Sequence, residues 1–219
     1  MRCWACDVSE LYDGDAFSRA MESLPWEERR QRAMGYRFAK DRALCLGVGL
    51  LAARALKIAG AEDLSLGYRA CGKPFLVHHP DIHFNLSHSS TLAVCAVASV
   101  PVGVDVEERQ ACDWALVERC CSDAERRWIR AQQDADAAFT RIWTRKESYL
   151  KLLGTGIADD LQSIDVAPGS TLDDAVVFWE QTVAGNAICA CCAVPNESLA
   201  QGSPSRSHAL SGYNREGEV

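Results

Sequence analysis

Two long helical patterns, each accompanied by short strand patterns, limit most strongly what this chain can fold into. From Phe38 to Ala59, apolar residues recur every three or four positions, and Gly60 follows as a stop signal. A second long helix is predicted from about Asp136 to Leu153, ending at Gly154. A long helix with a small set of strands, occurring twice, predicts an α+β fold built from two similar halves.

Shorter patterns complete the secondary-structure prediction. Residues 26–37 and 113–133 are predicted to be helical, and residues 64–77 to form a strand pair around the turn Cys71–Pro74. Residues 82–90 are predicted to run from a strand into a polar loop. Further strands are predicted at Leu92–Val100, Val102–Glu107, Ile164–Val166, Ala175–Glu180 and Ala187–Val194.

Pro101 marks the predicted boundary between the halves, because it separates two predicted strands. The N-terminal half is then residues 1–101 and the C-terminal half residues 102–195. From position 196 to 219 the chain is rich in Ser, Gly, Pro and charged residues, with little to bury. This segment is predicted to be a mobile tail.

Charge and hydropathy exclude several function classes. The 219 residues carry 23 Lys and Arg against 30 Asp and Glu, a formal net charge of −7. Such a chain is a poor general binder of nucleic acid or anionic membranes, because affinity for phosphate backbones comes from cationic groups. No apolar run approaches the roughly 18 residues that span a bilayer, and the N-terminus lacks a secretory signal. A cytoplasmic location is therefore expected.

The chain has eleven cysteines, an odd number. Reduced and mostly buried thiols are one interpretation. The spacing Cys3-x-x-Cys6 also suits zinc or a disulfide, and Cys189, Cys191 and Cys192 could complete a ligand set. Both interpretations stay open on the sequence.

The segment Val102–Glu107 places two carboxylates on one face of a strand. Side chains alternate in a strand, so the valines point one way and Gly103, Asp105 and Glu107 the other. Asp105 and Glu107 then lie roughly 6–7 Å apart along the strand, and we expect Gly103 to leave room for a ligand. The pair is either a site for a hard divalent cation or part of a solvated edge strand.

The predicted helix 136–153 adds a second set of polar residues. Thr140, Thr144, Glu147 and Lys151 fall on one narrow stripe, and an apolar face includes Trp143, Leu150 and Leu153. Lys146 falls in the middle of that apolar face, where an unpaired ammonium is costly. It must either extend outward to water or have a buried anionic partner.

A third group of residues suits phosphate. Lys73 lies on a turn framed by Gly72 and Pro74, and Ser87 and His88 offer hydrogen-bond donors. An arginine-rich stretch from residue 29 to 42 is either a solvated helix face or an anion-binding surface. The carboxylates of Asp105, Glu107 and Glu147 suit a metal cation, and the basic side chains suit a polyphosphate. This combination is typical of metal-assisted phosphoryl-group transfer. The phosphate-binding loop of common nucleotide triphosphatases is missing from the sequence.

Four ordered blocks of this sequence resemble the 4′-phosphopantetheinyl transferases, specifically the larger type that activates surfactin- and enterobactin-like synthetases. The blocks are Gly72–Pro74, Phe84–Ser89, Val102–Glu107 and Trp143–Lys151. The resemblance covers roughly residues 25–195. It implies transfer of 4′-phosphopantetheine from coenzyme A to a serine of an acyl or peptidyl carrier protein, with release of adenosine 3′,5′-bisphosphate.

The resemblance also implies roles for individual residues. Asp105, Glu107 and Glu147 would hold Mg²⁺, or Mn²⁺, on the pyrophosphate. Glu147, directly or through water, would accept the serine proton, although Glu125 matches a family position sometimes given that role. Lys151 would contact the phosphates and stabilise the charge that develops on them.

Coenzyme A contacts are implied for several residues of the N-terminal half. Lys73, Ser87 and His88 would bind the 3′-phosphate and nucleotide end, beside Pro74 of the same turn. Of the arginine-rich stretch, Arg37 and Arg42 are expected to contribute.

The larger family type also implies an architecture and a set of partners. The two halves would each combine a small antiparallel sheet with a long helix, related by a pseudo-twofold axis. We expect a monomer that acts on a carrier protein and coenzyme A, with no nucleic acid and no membrane. Two alternatives are a non-catalytic module that binds coenzyme A or carrier proteins and a metal-dependent hydrolase of coenzyme A pyrophosphate.

Overall fold

The computed structural model describes residues 1–155 and 161–193. They form two compact units, Met1–Ser99 and the residues from Val100 onward. Both units combine helices with small antiparallel sheets, which confirms the predicted α+β class. The predicted tail, residues 196–219, lies outside the described residues.

The first unit contains three helices, a three-stranded sheet and a hairpin. Its helices are α1 (Gly14–Ser23), α2 (Glu27–Gly35) and α3 (Ala39–Ile58), and its strands are β1 (Arg2–Asp7), β2 (Leu66–Tyr68), β3 (Pro74–Leu76), β4 (His83–Ser89) and β5 (Leu92–Ala98). The sheet has the antiparallel order β1-β5-β4, and β2 pairs with β3. Helix α3 packs against β5, and the core between them includes Trp4, Leu56, Phe84 and Val97.

One prediction for this unit was wrong. Ser87 and His88 lie inside strand β4, opposite Val94 and Ala93 of β5, and not in a polar loop. Their backbone joins the sheet because β5 is apolar and buried along its whole length and offers a continuous partner strand. Ser87 is consequently buried, whereas the adjacent His88 is exposed on the opposite face.

The second unit packs one long helix on a three-stranded sheet. Its helices are α4 (Trp114–Cys120), α5 (Asp123–Arg130) and α6 (Ala135–Leu153), and its strands are β6 (Val102–Glu108), β7 (Val176–Val183) and β8 (Asn186–Ala193). The sheet has the antiparallel order β6-β8-β7. Helix α6 packs on β6 and β8, so one face of this helix lies over the sheet.

Local sequence signals explain where α6 begins and ends. The carboxylate of Asp134 accepts a hydrogen bond from the backbone N–H of Ala137, and Gly154 adopts a left-handed conformation (φ +71°) at the other end. Leu150 is buried as predicted. Leu153 is 51% exposed, although periodicity placed it on the apolar face of the helix. Periodicity shows which side of a helix a residue occupies, but not where the neighbouring elements that cover that side end.

The segment Ile164–Val166 is not a strand, and that prediction was wrong. Its backbone groups bond to side chains instead of to another strand. The N–H of Val166 donates to Glu125, the carbonyl of Val166 accepts from Arg145, and the carbonyl of Ile164 accepts from Lys146. Side-chain partners of this kind satisfy a buried backbone without a sheet.

All eleven cysteines lie within residues 1–155 and 161–193, where the structure contains no disulfide. Burial raises the pKa of Cys3 to about 12 and raises the pKa of Cys95 as well. Cys71, by contrast, is exposed on the turn between β2 and β3. None of the helices in the described part of the chain is long and apolar enough to cross a membrane.

Candidate active site

Strand β6 carries the first two acidic residues of the candidate site on the face that α6 covers. A Cβ atom added at Gly103 would lie 1.9 Å from the Ser148 carbonyl oxygen and 2.5 Å from the Leu152 nitrogen. The glycine therefore leaves room for the backbone of α6, and the prediction that it leaves room for a ligand was wrong. This close approach lets Asp105 and Glu107, on the same face as Gly103, meet side chains of the helix.

Asp105 contacts Lys151 of α6 directly. Its Oδ1 accepts a hydrogen bond from the Lys151 ammonium at 2.6 Å, which is also an ion pair. Asp105 is only 3% exposed, and burial of a carboxylate without compensation would be costly. The strand and the helix are thus joined at this point by a charged contact.

Glu107 and Glu147 are half-buried and lie within electrostatic range of Asp105. Burial raises the pKa of the Glu107 carboxyl, and the charge of Asp105 raises it further. The pKa of Glu147 is raised by the same two causes, and the charge of Lys151 partly opposes them. Three acidic groups therefore share one neighbourhood, and a bound cation would relieve their mutual repulsion.

The three carboxylates do not converge on a common point. In residues 1–155 and 161–193 there is no group of three or more His, Cys, Asp or Glu side chains arranged to hold a metal ion. The chemistry of the donor set nevertheless fits a hard divalent cation, since carboxylate oxygens are the ligands such ions prefer. Lys151 supplies one positive charge against the three negative ones.

Two residues next to Glu107 were missed by the sequence analysis. The side-chain amide of Gln110 donates to Glu107 Oε2 at 3.1 Å, and both this amide and the nearby Trp143 side chain act against burial by lowering the pKa of Glu107. Trp143 belonged only to the apolar face in the sequence reading. The available signal was its position four residues before Glu147, one helical turn away on the same side.

Lys146 has the buried anionic partner that the sequence allowed as one of two outcomes. Its ammonium lies 2.9 Å from Glu125 Oε2, and the side chains are 1% and 0% exposed. The carboxylate of Glu125 also accepts from the backbone N–H groups of Ser122 and Val166. A base for a serine hydroxyl must come within hydrogen-bond reach of it, and Glu125 is fully buried with its carboxylate occupied by these partners.

The residues expected to contact coenzyme A lie in the first unit. Lys73 ends the turn whose Gly72 adopts φ +79°, and Pro74 begins β3. Burial lowers the pKa of His83 in β4, and the charge of Lys73 lowers it further, so this lysine lies near β4. Ser87 and His88 point to opposite faces of that strand.

Arg37 and Arg42 flank the junction between α2 and α3. The guanidinium of Arg42 donates from Nε to the Tyr36 carbonyl at 2.8 Å and contacts the Arg37 carbonyl at 3.4 Å. Arg37 is exposed, with its guanidinium carbon 5.4 Å from the centroid of the Phe38 ring. Arg42 therefore holds the junction in place, and Arg37 presents its charge to solvent.

Comparison with known proteins identifies the class to which this fold and this group of acids belong. A model of the 4′-phosphopantetheinyl transferase superfamily matches residues 101–192. A 4′-phosphopantetheinyl transferase from Bacillus subtilis is 32% identical over 153 residues, which are 68% of either chain. One from Aneurinibacillus migulanus is 30% identical, covering 77% of this chain and 76% of the relative. One from Bacillus pumilus is 33% identical, covering 74% of this chain and 73% of the relative.

This chain belongs to the 4′-phosphopantetheinyl transferase family. Among solved structures, holo-[acyl-carrier-protein] synthase of Thermotoga maritima matches 43% of this chain and 62% of its own length, less than two thirds of it. The TM-score of 0.29 and the 18% identity are too low to carry an argument. The family assignment depends on the sequence relatives and on the matched stretch, which contains Asp105, Glu107, Glu147 and Lys151.

Proposed function

We propose that the chain transfers the 4′-phosphopantetheine group of coenzyme A to a serine hydroxyl of an acyl or peptidyl carrier protein and releases adenosine 3′,5′-bisphosphate. The observation that carries this proposal is the shared face of β6 and α6, where Asp105, Glu107 and Glu147 lie within electrostatic range and Lys151 pairs with Asp105. The similar proteins bear the name of this transferase activity.

A divalent cation fits the donor set of this face. Asp105, Glu107 and Glu147 would hold Mg²⁺, with Mn²⁺ as a substitute, because their hard oxygens and excess negative charge suit such ions. Bound there, the cation supplies stabilisation of the negative charge on the pyrophosphate. Lys151 would add its own positive charge at the phosphates of the leaving group.

The proposed reaction exchanges one phosphorus–oxygen bond for another. The serine oxygen bonds to the phosphorus that carries the pantetheine arm, and the bond from that phosphorus to the bridging oxygen breaks. The bridging oxygen leaves with the electron pair as part of the bisphosphate. Glu147, directly or through water, takes the proton of the serine, which is otherwise a weak nucleophile.

The first unit is proposed to bind the nucleotide end of coenzyme A. Lys73, Ser87 and His88 supply a cation and hydrogen-bond donors suited to the 3′-phosphate, with Pro74 stiffening the turn. Arg37 supports this role through its exposed charge, and Arg42 through its position in the first turn of α3. Residues 1–101 would thus recognise coenzyme A, and residues 102–195 would carry the metal and catalytic groups.

The architecture, oligomeric state, location and partners of the protein are also part of the proposal. The halves are expected to be related by a pseudo-twofold axis, and the protein to act as a cytoplasmic monomer without nucleic-acid or membrane partners. They are supported by the resemblance to the larger family type and by the net charge of −7.

Mass spectrometry of an apo carrier protein tests the proposed function. The carrier is incubated with the chain, Mg²⁺ and coenzyme A, and a gain of one phosphopantetheine unit on the carrier serine is expected. Consumption of coenzyme A with an unmodified carrier would instead indicate a hydrolase. Tight binding without turnover would indicate a non-catalytic binding module, and either result would overturn the proposal.

A further inference from the structure

The hairpin of β2 and β3 carries Lys73 on its turn, and in the described part of the chain its strands pair only with each other. The Arg69 N–H donates to the Lys73 carbonyl at 3.0 Å, and the Gly72 N–H donates to the Arg69 carbonyl at 2.8 Å. This lysine turn, residues 69–73, is therefore closed by its own backbone. A two-stranded hairpin is only marginally stable by itself, so the position of Lys73 depends on what holds the other end.

That other end, the hairpin base, consists of residues 63–65 and 77–79, and His79 completes its pairing with a side chain. The Val77 N–H donates to the Ser65 carbonyl at 2.9 Å. Continuing the register of β2 and β3 places Asp63 opposite His79. There the Asp63 N–H donates to His79 Nε2 at 3.2 Å. Because a backbone N–H can only donate, the imidazole accepts through an unprotonated nitrogen.

His79 also joins the hairpin base to β4. Its backbone carbonyl accepts a hydrogen bond from the Ile82 N–H at 3.1 Å, directly before β4 begins. Strand β4 carries Ser87 and His88, which are proposed to bind the same end of coenzyme A as Lys73. One residue thus links the hairpin of the lysine turn to the strand of its proposed partners.

Trp26 is the second anchor of the hairpin base. It directly precedes α2, and its indole Nε1–H donates to the Leu64 carbonyl at 2.7 Å. Both residues are half-buried, and the Trp26 ring packs against the core that contains Leu76 of β3. Helix α2 leads from Trp26 to the junction with Arg37 and Arg42, so this bond ties a further proposed coenzyme A segment to the same base.

The two anchors fix an orientation that apolar packing alone leaves free. Burial of Leu76 attaches the hairpin to the core, but apolar packing is non-directional, whereas hydrogen bonds weaken steeply as their angle changes. The lysine turn lies roughly 10 Å from the base, about three residues along the strands. A rotation of about 10° at the base would displace the turn by roughly 1.7 Å, enough to break a hydrogen bond from Lys73 to a phosphate.

We propose that Trp26 and His79 are positioning residues that hold the lysine turn where Lys73 can bind the 3′-phosphate of coenzyme A. The inference rests on the proposed function, because it concerns a residue of that binding site. It assigns to the pair an effect on recognition of the 3′-phosphate and none on the chemical step. Both residues therefore contribute to discrimination against dephospho-coenzyme A, which lacks only this phosphate.

Isothermal titration calorimetry with coenzyme A and dephospho-coenzyme A tests the inference without catalysis. His79→Leu removes the acceptor, and Trp26→Phe keeps an aromatic ring but removes the N–H. We expect each variant to bind coenzyme A about tenfold more weakly, the order of one lost hydrogen bond, and dephospho-coenzyme A as wild type does. In transfer assays the KM for coenzyme A should rise similarly, while kcat changes little.

A conservative variant and matched controls separate positioning from general damage to the fold. His79→Gln keeps an acceptor oxygen near the position of Nε2 and should recover most of the coenzyme A affinity. His78→Leu and Trp114→Phe alter exposed residues and should leave both affinities unchanged. Equal losses for the two nucleotides would overturn the inference, as would wild-type coenzyme A affinity in both His79→Leu and Trp26→Phe.

A Lys73→Met background tests whether the anchors act through this lysine. There His79→Leu should have no further effect on coenzyme A affinity, and an undiminished effect would overturn the inference. A wild-type chain that modifies the carrier, with anchor variants that still discriminate fully between the two nucleotides, would contradict only the role of Trp26 and His79. A wild-type chain that neither binds coenzyme A nor modifies the carrier would overturn the proposed function as well.

Discussion

Glu147 is the residue on which the proposed reaction depends most. It lies on α6 within electrostatic range of Asp105 and Lys151, half-buried and accessible in part to solvent. Glu147→Gln retains the shape of the side chain but removes its charge and its ability to take a proton. We expect carrier modification to fall roughly 100- to 10,000-fold, measured by mass spectrometry at saturating coenzyme A.

A neighbouring carboxylate provides the control for that variant. Glu108 is exposed at the end of β6, and Glu108→Gln should retain near-wild-type transfer. Coenzyme A affinity of Glu147→Gln should be reduced less than its transfer rate. Transfer by Glu147→Gln at the wild-type rate would remove this residue from the mechanism.

The raised pKa of Glu147 predicts how stability depends on pH. Its folded-state pKa lies above the ordinary value of 4.5 because of burial and the charge of Asp105, so the folded state binds the proton more tightly than the unfolded chain. Ionisation therefore costs stability as the pH rises from 4.5 through the raised folded value. Glu147→Gln avoids this loss and should gain stability relative to wild type across that window.

Thermal melting of both proteins in chelator, at pH about 4 to 7, measures that difference. The gap between the melting temperatures should widen with pH in favour of Glu147→Gln. A gap that stays constant would contradict the electrostatic interpretation of the acidic face.

At the scale of elements, the contact between β6 and α6 depends on glycine at position 103, which has no side chain. Gly103→Ala places a Cβ atom 1.9 Å from the Ser148 carbonyl oxygen, which is backbone and cannot rotate away. We expect a loss of about 1–3 kcal/mol in the free energy of unfolding, measured by denaturant titration, together with reduced transfer. Gly14→Ala, where nothing lies within 4 Å of the added atom, is the control and should be close to neutral.

The buried pair of Glu125 and Lys146 fixes α5 and α6 to the segment before β7. Glu125→Gln leaves the Lys146 ammonium buried without its counter-charge, and breaking such a pair typically costs about 3–5 kcal/mol. We expect a loss of this size in the free energy of unfolding.

The control for that variant is an exposed acid of the same unit. Glu118 pairs with Arg126 and Arg130 at the surface, and Glu118→Gln should cost at most about 1 kcal/mol. Equal stability losses for Glu125→Gln and Glu118→Gln would contradict the structural role of the buried pair.

For the whole molecule, binding of a divalent cation should appear as added stability. A ligand that binds only the folded state at 100 times its dissociation constant contributes about 2.7 kcal/mol. We expect Mg²⁺ or Mn²⁺ to raise the melting temperature and excess chelator to abolish transfer. The combined variant Asp105→Asn and Glu107→Gln should lose the stabilisation, whereas full transfer in excess chelator would contradict the metal site.

Much of the fold could be predicted because the determining signals are local. The long helices have apolar periodicity and stop at Gly60 and Gly154, so the sequence places α3 and α6 within a few residues. Alternation in Val102–Glu107 correctly puts the valines on one buried face. The failed strand at Ile164–Val166 has the composition of a strand, but its backbone partners are distant side chains that no local pattern reveals.

The candidate site was predictable in its residue types but not in its contacts. Periodicity shows which face a residue occupies but not what covers that face, so Gly103 was assigned to a ligand and not to α6. Periodicity marked Lys146 as anomalous. It could not reveal the partner of this lysine, because Glu125 lies 21 residues away along the chain. The effect of Trp143 on the pKa of Glu107 was hidden because an aromatic residue on an apolar face is usually explained by packing alone.

The exposed turn between β2 and β3 offers an experimental handle on the first unit. Cys71 is exposed, whereas the other cysteines in the described residues are buried or half-buried, and thiols with raised pKa such as Cys3 and Cys95 react slowly. A maleimide fluorophore added in limiting amount should therefore attach first at Cys71, two residues from Lys73. Emission from that dye would then report ligand arrival at the lysine turn, separately from events at the carboxylates.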